Sequence, residues 1–152
     1  MACPRPASIQ QYLFNGITYF RKALTTPRPI VLHVAVVDLQ TPKIEFLVTP
    51  SSDPSGIMCV RATSQFLDEF KMHFAVNGDG FSYLPASYEP AKYCPNGGEP
   101  VKTNGFAASR GKIYSPINTI QPEIYISSRN QVNINVPPGN IFNAVAGDRM
   151  VV

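Results

Sequence analysis

The sequence predicts an α+β domain built mostly from antiparallel β-sheet, with one or two short helices. Three observations lead there. Fifteen prolines in 152 residues are roughly twice the usual ~5% share, which disfavours long helices and forces rigid turns. The apolar segments are short, rich in β-branched and aromatic residues, and end in clusters of Pro, Gly, Asn, Asp or Ser. Helical spacing occurs convincingly in one place only. The length suits a single domain. We expect an amino-terminal tail over 1–12 and one domain over 13–152, with its carboxy-terminal part lying beyond Val152, because Met150-Val151-Val152 reads as a strand cut short.

In chain order, Ile17 to Leu24 alternates loosely and ends at Thr25-Thr26-Pro27, which predicts a half-exposed strand. Pro29 opens Ile30 to Leu39, whose length and β-branched content predict a strand buried on both faces. Thr41-Pro42 is a short link to Lys43–Pro50, so these two segments are expected to pair as a hairpin. Ser51 to Gly56 is a loop. The helix follows, with Thr63 or Ser64 as N-cap and Phe66, Leu67 and Phe70 facing inward. His73 to Val76 predicts a buried strand running straight into Asn77-Gly78-Asp79-Gly80-Phe81. Ser82 to Asn104 predicts a long loop with Tyr83, Tyr88 and Tyr93, of a length that is uncommon unless functional. Strands are expected on either side of Ser109-Arg110-Gly111, at Glu123–Ser127, at Gln131–Val136 and from Ile141 onward. There is no internal repeat.

Composition excludes several function classes. Charged residues are only 15% and hydrophobic ones 44%, unlike a disordered tail. A net charge of +3 from scattered Lys and Arg does not make a nucleic-acid footprint. No apolar run approaches a membrane span: the longest, Ile30 to Val37, is interrupted by His33. The first residues lack the apolar core of a secretory signal, so the chain is cytosolic or its targeting segment is not in this sequence. Three cysteines, Cys3, Cys59 and Cys94, form no closed framework; idle thiols are the expectation, with a Cys59–Cys94 bridge as the alternative. No Cys/His spacing suggests zinc, and no metal or cofactor is expected.

The sharpest motif is the Asn77–Phe81 loop. Gly78 and Gly80 allow close backbone approach to a ligand, Asn77 offers an amide donor and acceptor, and Asp79 offers a carboxylate. The bland alternative is an ordinary tight turn. The Lys-Ser/Thr of a phosphate loop is absent. Ser109-Arg110-Gly111 reads as a hairpin turn, or as a second ligand loop with Arg110 on an anion. His33 reads as a core or edge histidine, and His73 has no nucleophile beside it in sequence. Paired carboxylates for glycoside hydrolysis would come from Asp38, Asp79 and Asp148.

Taken in order, several segments resemble the phosphodiester glycosidase family, whose type activity uncovers mannose 6-phosphate, and bacterial, cyanobacterial-type members most. They are Gly16-Ile17-Thr18-Tyr19, Pro27-Arg28-Pro29, His33-Val34, Val37-Asp38-Leu39, Phe46-Leu47-Val48-Thr49-Pro50 and Thr63-Ser64-Gln65-Phe66-Leu67. Ala75-Val76-Asn77-Gly78, Tyr93 with Pro95, Gly105-Phe106-Ala107-Ala108-Ser109-Arg110-Gly111 and Asn143-Ala144-Val145-Ala146-Gly147 follow. The resemblance implies a hydrolase of sugar-1-phosphodiesters such as those of N-acetylglucosamine, releasing the sugar and a phosphomonoester. It implies Asn77 as the catalytic-loop residue and Gly78, Ser109 and Gly111 as substrate-binding; Asp79, which has no clear family role, and Phe81 are expected to be substrate-binding from their place in the same loop. Family members are often secreted or envelope-associated.

Two departures stand out. Gly80 replaces the first aromatic that normally follows Asn-Gly. The family's later Pro-Arg-Thr-Ala, Asp-Gly-Arg and Leu-Asp-Gly-Gly-Gly-Ser signatures are not within these 152 residues. Their Arg and Asp would stabilise the leaving phosphate and the oxocarbenium-like centre, so 1–152 alone is expected to be nearly inactive. The competing readings are a non-catalytic carbohydrate-binding or cell-envelope module using Tyr83, Tyr88 and Tyr93, and a purely structural β-rich interaction domain.

Overall fold

The computed structural model describes residues 8–116 and 121–147. Its strands pair antiparallel throughout, with two short helices, an α+β fold of the expected class. Residue contacts divide the chain into two units, Met1–Ile44 and Glu45–Val152. Among the described residues no helix is long and apolar enough to cross a membrane.

The first unit is a three-stranded meander, β1 (Ile9–Phe14), β2 (Ile17–Leu24) and β3 (Ile30–Val37), with β2 in the centre. The first four residues of β1, Ile9 to Tyr12, fall in the segment expected to be a tail. The β2–β3 register runs unbroken from Ile17↔Val37 to Leu24↔Ile30. β3 is not buried on both faces: Val31, Leu32, Val34 and Val36 are all exposed. Nor does it pair with Lys43–Pro50. Its chain turns at Asp38, whose carboxylate accepts from the Gln40 amide at 3.0 Å and the Thr41 hydroxyl at 3.0 Å. Lys43 then takes a left-handed conformation, φ 68°, which ends the extended run.

The second unit holds two sheets. A five-stranded sheet has the order β10-β9-β11-β7-β8, from β7 (Ala107–Ser109), β8 (Lys112–Ser115), β9 (Glu123–Ile126), β10 (Val132–Ile134) and β11 (Asn143–Ala146). A smaller sheet has the order β4-β6-β5, from β4 (Met58–Cys59), β5 (Phe81–Tyr83) and β6 (Pro100–Thr103). β7 serves two cores, because successive side chains on a strand point to opposite faces. Ala108 packs with Phe106, Tyr125, Ala144 and Ala146. Ala107 packs with Met58, Val101 and Tyr114.

Residues 44–50 form no strand. Their backbone carbonyls are claimed instead by side chains: Asn143 Nδ2 donates to Phe46 at 2.8 Å, Ser109 Oγ to Val48 at 2.7 Å, and the Tyr114 hydroxyl to Thr49 at 2.5 Å. Tyr114 sits at an irregularity in the β7–β8 register, which lets a bulged residue aim its side chain away from the ladder.

Helix α1 (Thr63–Phe70) matches the expected position, with Phe66, Leu67 and Phe70 half-buried and the rest of the helix exposed. Its N-cap is Ala62 rather than Thr63 or Ser64. Gln65 Oε1 satisfies the Ala62 amide at 2.7 Å, the half of a capping box that needs no hydroxyl. His73–Val76 is not a strand, and Val76 is 74% exposed. The expected long loop 82–104 contains the end of β5, helix α2 (Pro90–Tyr93) and β6. Cys59 and Cys94 form a disulfide, Cα–Cα 5.6 Å, rather than remaining thiols. Pairing of β4 with β6 fixes Cys59 opposite Pro100, and α2 returns Cys94 to that strand end. The last expected strand appears as β11; its continuation toward Val152, with Asp148, lies outside the described residues, as does Cys3.

Candidate functional site

The Asn77–Phe81 loop is built from backbone upward against the rim of the five-stranded sheet. Gly78 passes so close to β11 that a Cβ there would stand 3.1 Å from Val145 Cγ2. One residue on, the Asp79 carboxylate accepts the Gly105 amide at 2.5 Å. The Gly80 carbonyl accepts the Asn104 amide at 3.0 Å. The loop is therefore pinned by three successive residues, and what remains for a ligand is its outer side. Asn77 is exposed there; its Oδ1 accepts the Thr63 hydroxyl at 3.1 Å, which ties the loop to the start of α1 and leaves the amide nitrogen as donor.

Phe81 continues the loop into β5 and meets Tyr83 edge-on, ring centroids 5.6 Å apart at 77°. Both are exposed, 46% and 61%. Residues two apart on a strand share a face, so the pair forms an aromatic surface continuous with the loop. Ser82, on the other face, donates to Asn104 Oδ1 at 2.6 Å. Tyr88 and Tyr93 form a second tilted pair at 5.4 Å.

The structure thus brings Asn77, Gly78, Asp79 and Phe81 together. Ser109 ends β7 and Gly111 lies in the turn beyond it, four and six residues past Gly105. The Ser109 hydroxyl is buried and committed to Val48. Gly111 completes the β7–β8 hairpin turn, with Arg110 at φ 51° and Gly111 at φ 83°, the left-handed pair of a tight two-residue turn. The turn amides are used internally, Arg110 to Asn143 Oδ1 at 3.0 Å and Gly111 to the Phe142 carbonyl at 2.7 Å. His33 lies on the edge strand β3, sharing a hydrogen bond with the Tyr19 hydroxyl at 2.5 Å. Asp38 is occupied by its own turn.

Sequence reasoning missed the most deeply placed polar groups. Glu123 is buried at 7% exposure and accepts the Tyr125 hydroxyl, itself 1% exposed. Burial, with Glu123 as acceptor and neighbouring charge, pushes the Tyr125 phenol up to about 12. Asn143, 1% exposed, bridges Phe46 and Arg110. The available signal was an acidic or amide residue at the start of a strand with apolar residues two positions on. Among the described residues no three His, Cys, Asp or Glu gather as a metal-binding group. An open groove of about 600 Å³ in the first unit, lined by Tyr12, Phe14, Asn15, Gly16 and Asp38 among others, contains none of the candidate residues.

No family model, no curated protein and no solved structure matches this chain.

Proposed function

We propose that the Asn77–Phe81 loop binds the sugar of a sugar-1-phosphodiester, in a glycosidase-type hydrolase site that releases the sugar and a phosphomonoester. The observation that carries this is the continuity of an exposed amide donor, Asn77, with an exposed aromatic surface, Phe81 and Tyr83, on a loop pinned from behind. Sugars present C–H faces that lie on aromatic rings and hydroxyls that need fixed donors and acceptors, so this pairing suits a glycan better than an apolar ligand. The family resemblance supplies the phosphodiester. In this reading Asn77 donates to a substrate oxygen, the Gly78 backbone permits close approach, Phe81 stacks, and Ser109 and Gly111 shape the sheet end. No cofactor is invoked. The charge-stabilising Arg and Asp signatures of the family are not among these residues, so little turnover is expected from them alone.

A second reading uses the same aromatic surface without chemistry: a carbohydrate-binding or cell-envelope module. Titrating the isotope-labelled chain with the methyl phosphodiester of N-acetylglucosamine 1-phosphate separates the two. Amide shifts centred on Asn77–Phe81, weakened about tenfold in Asn77→Ala, support the hydrolase site. Shifts confined to Tyr88 and Tyr93, with free N-acetylglucosamine binding equally well, favour the module. Absence of any shift at millimolar ligand removes both.

A further inference from the structure

Asn-Gly occurs at four places in the chain: Asn15-Gly16, Asn77-Gly78, Asn96-Gly97 and Asn104-Gly105. The step is chemically special. Glycine has no side chain to shield its backbone nitrogen, so that nitrogen can attack the side-chain amide of the asparagine before it. Attack needs an N–H that is not committed to an acceptor, a side-chain carbonyl open to approach, and a backbone at liberty to bring the two together. The fold grants these unequally.

At Asn104-Gly105 the nucleophile is taken, because the Gly105 amide donates to the Asp79 carboxylate and is buried. Asn104 Oδ1 also accepts the Ser82 hydroxyl. At Asn96-Gly97 the Gly97 amide donates to the Cys94 carbonyl at 2.9 Å, closing a turn beside the disulfide. Asn15-Gly16 is the two-residue link of the β1–β2 hairpin, between the paired Phe14 and Ile17. Its Gly16 carbonyl accepts the Asp38 amide at 2.8 Å. A hairpin link held on both sides does not swing its asparagine into the backbone conformation that ring closure requires.

Asn77-Gly78 differs on each count. Both residues are exposed and lie outside any helix or strand. The loop is pinned by the packing of Gly78 on Val145, by the Asp79 carboxylate and by the Gly80 carbonyl. None of these uses the Gly78 amide, which has no acceptor among the described residues. The Thr63 hydroxyl donates to Asn77 Oδ1; a donor there draws electron density from Cγ and favours attack on it.

We propose that Asn77 is the principal site of spontaneous deamidation in this chain. The Gly78 nitrogen gives up its proton to hydroxide and bonds to Asn77 Cγ. The Cγ–Nδ2 bond breaks and Nδ2, protonated by water, leaves as ammonia, which closes a five-membered succinimide. Water then opens the ring. Breaking the bond from the Gly78 nitrogen to Cγ gives aspartate; breaking its bond to the main-chain carbonyl gives isoaspartate, with the backbone rerouted through the side chain. Either product puts a carboxylate where a neutral amide donor stood. The inference does not depend on the hydrolase proposal.

The test incubates the 152-residue chain at mildly alkaline pH, both folded and reduced in urea. Peptides are then mapped by mass spectrometry for the exchange of NH2 by OH, and isoaspartate is labelled with an isoaspartyl methyltransferase. In the folded chain both signals should arise at Asn77 at least about fivefold faster than at the other three steps, the worth of about one hydrogen bond. Urea should erase that lead by freeing all four. Asn77→Gln, whose longer side chain closes the larger ring reluctantly, should leave the folded chain nearly unlabelled. Signals spread evenly over the four steps of the folded chain, or concentrated at Asn15, Asn96 or Asn104, would overturn the proposal. So would an Asn77 peptide that stays unchanged until urea is added, or a folded Asn77→Gln protein labelled as fast as the original. No sugar enters these measurements, so their outcome is separate from that of the ligand titration.

Discussion

β3 and β11 invert what their side chains suggest. β3 is Ile-Val-Leu-His-Val-Ala-Val-Val, yet it contains no buried residue. β11 is Asn-Ala-Val-Ala, and only Val145 escapes full burial. The difference lies in the neighbours. β3 is the edge of a three-strand meander, and among the described residues of that unit none reaches full burial. β11 is the middle strand of five, with partners on both sides and Phe106 and Tyr125 packed across it. Small side chains permit that close approach; large ones on an edge strand have nothing to close against. Hydrophobicity supplies the driving force for burial, but position in the sheet decides whether it is collected.

The contrast can be broken by substitution. Phe106→Ala should be the most damaging change, about 3–5 kcal/mol in a urea melt, because it empties the fully buried centre of the second unit. Replacing Cys59 and Cys94 together by Ala should cost about 3–4 kcal/mol by the loop-closure argument for a separation of 35 residues, read as a lower denaturation midpoint. Asn143→Ala should cost about 2–3 kcal/mol, since the Phe46 carbonyl and the Arg110 amide each lose a partner. Alkaline pH should destabilise the second unit. Tyr114 and Tyr125 are both held up to about 12 by burial, with Glu123 adding to the shift at Tyr125. The folded state keeps these protons while the unfolded state loses them above pH 10. Stability should therefore be full below pH 10 and fall as pH rises toward 12, which thermal melts at pH 9 and 11 will show. The smallest effect, under about 0.5 kcal/mol, is expected for Val34→Thr on the exposed meander; a loss as large as that of Asn143→Ala would show that this sheet face is covered in solution.

Three local signals in the sequence match the structure. Helix α1 follows from the spacing of Phe66, Leu67 and Phe70, the β7–β8 turn from Arg110-Gly111, and the β9–β10 hairpin from Ser127 to Gln131, where Ser127 Oγ accepts the amides of Arg129 and Gln131. Segment 43–50 misled because its alternation mimics a strand, while its carbonyls pair with side chains more than sixty residues away. Its non-local partners leave no periodic trace. The loop at Asn77 was visible as a motif, but its setting was not: the support comes from Gly105 and Val145, both distant in sequence. Glu123 was invisible for the same reason. An acid at a strand start reads as solvent-facing until β11, about twenty residues later, pairs with it.

The Cys59–Cys94 bridge encloses helix α1 and the whole Asn77–Phe81 loop. That makes the candidate loop part of a covalent ring rather than an open chain. A protease that nicks this exposed loop would release no fragment: the protein would keep its mass under oxidising conditions and separate into two pieces only after reduction.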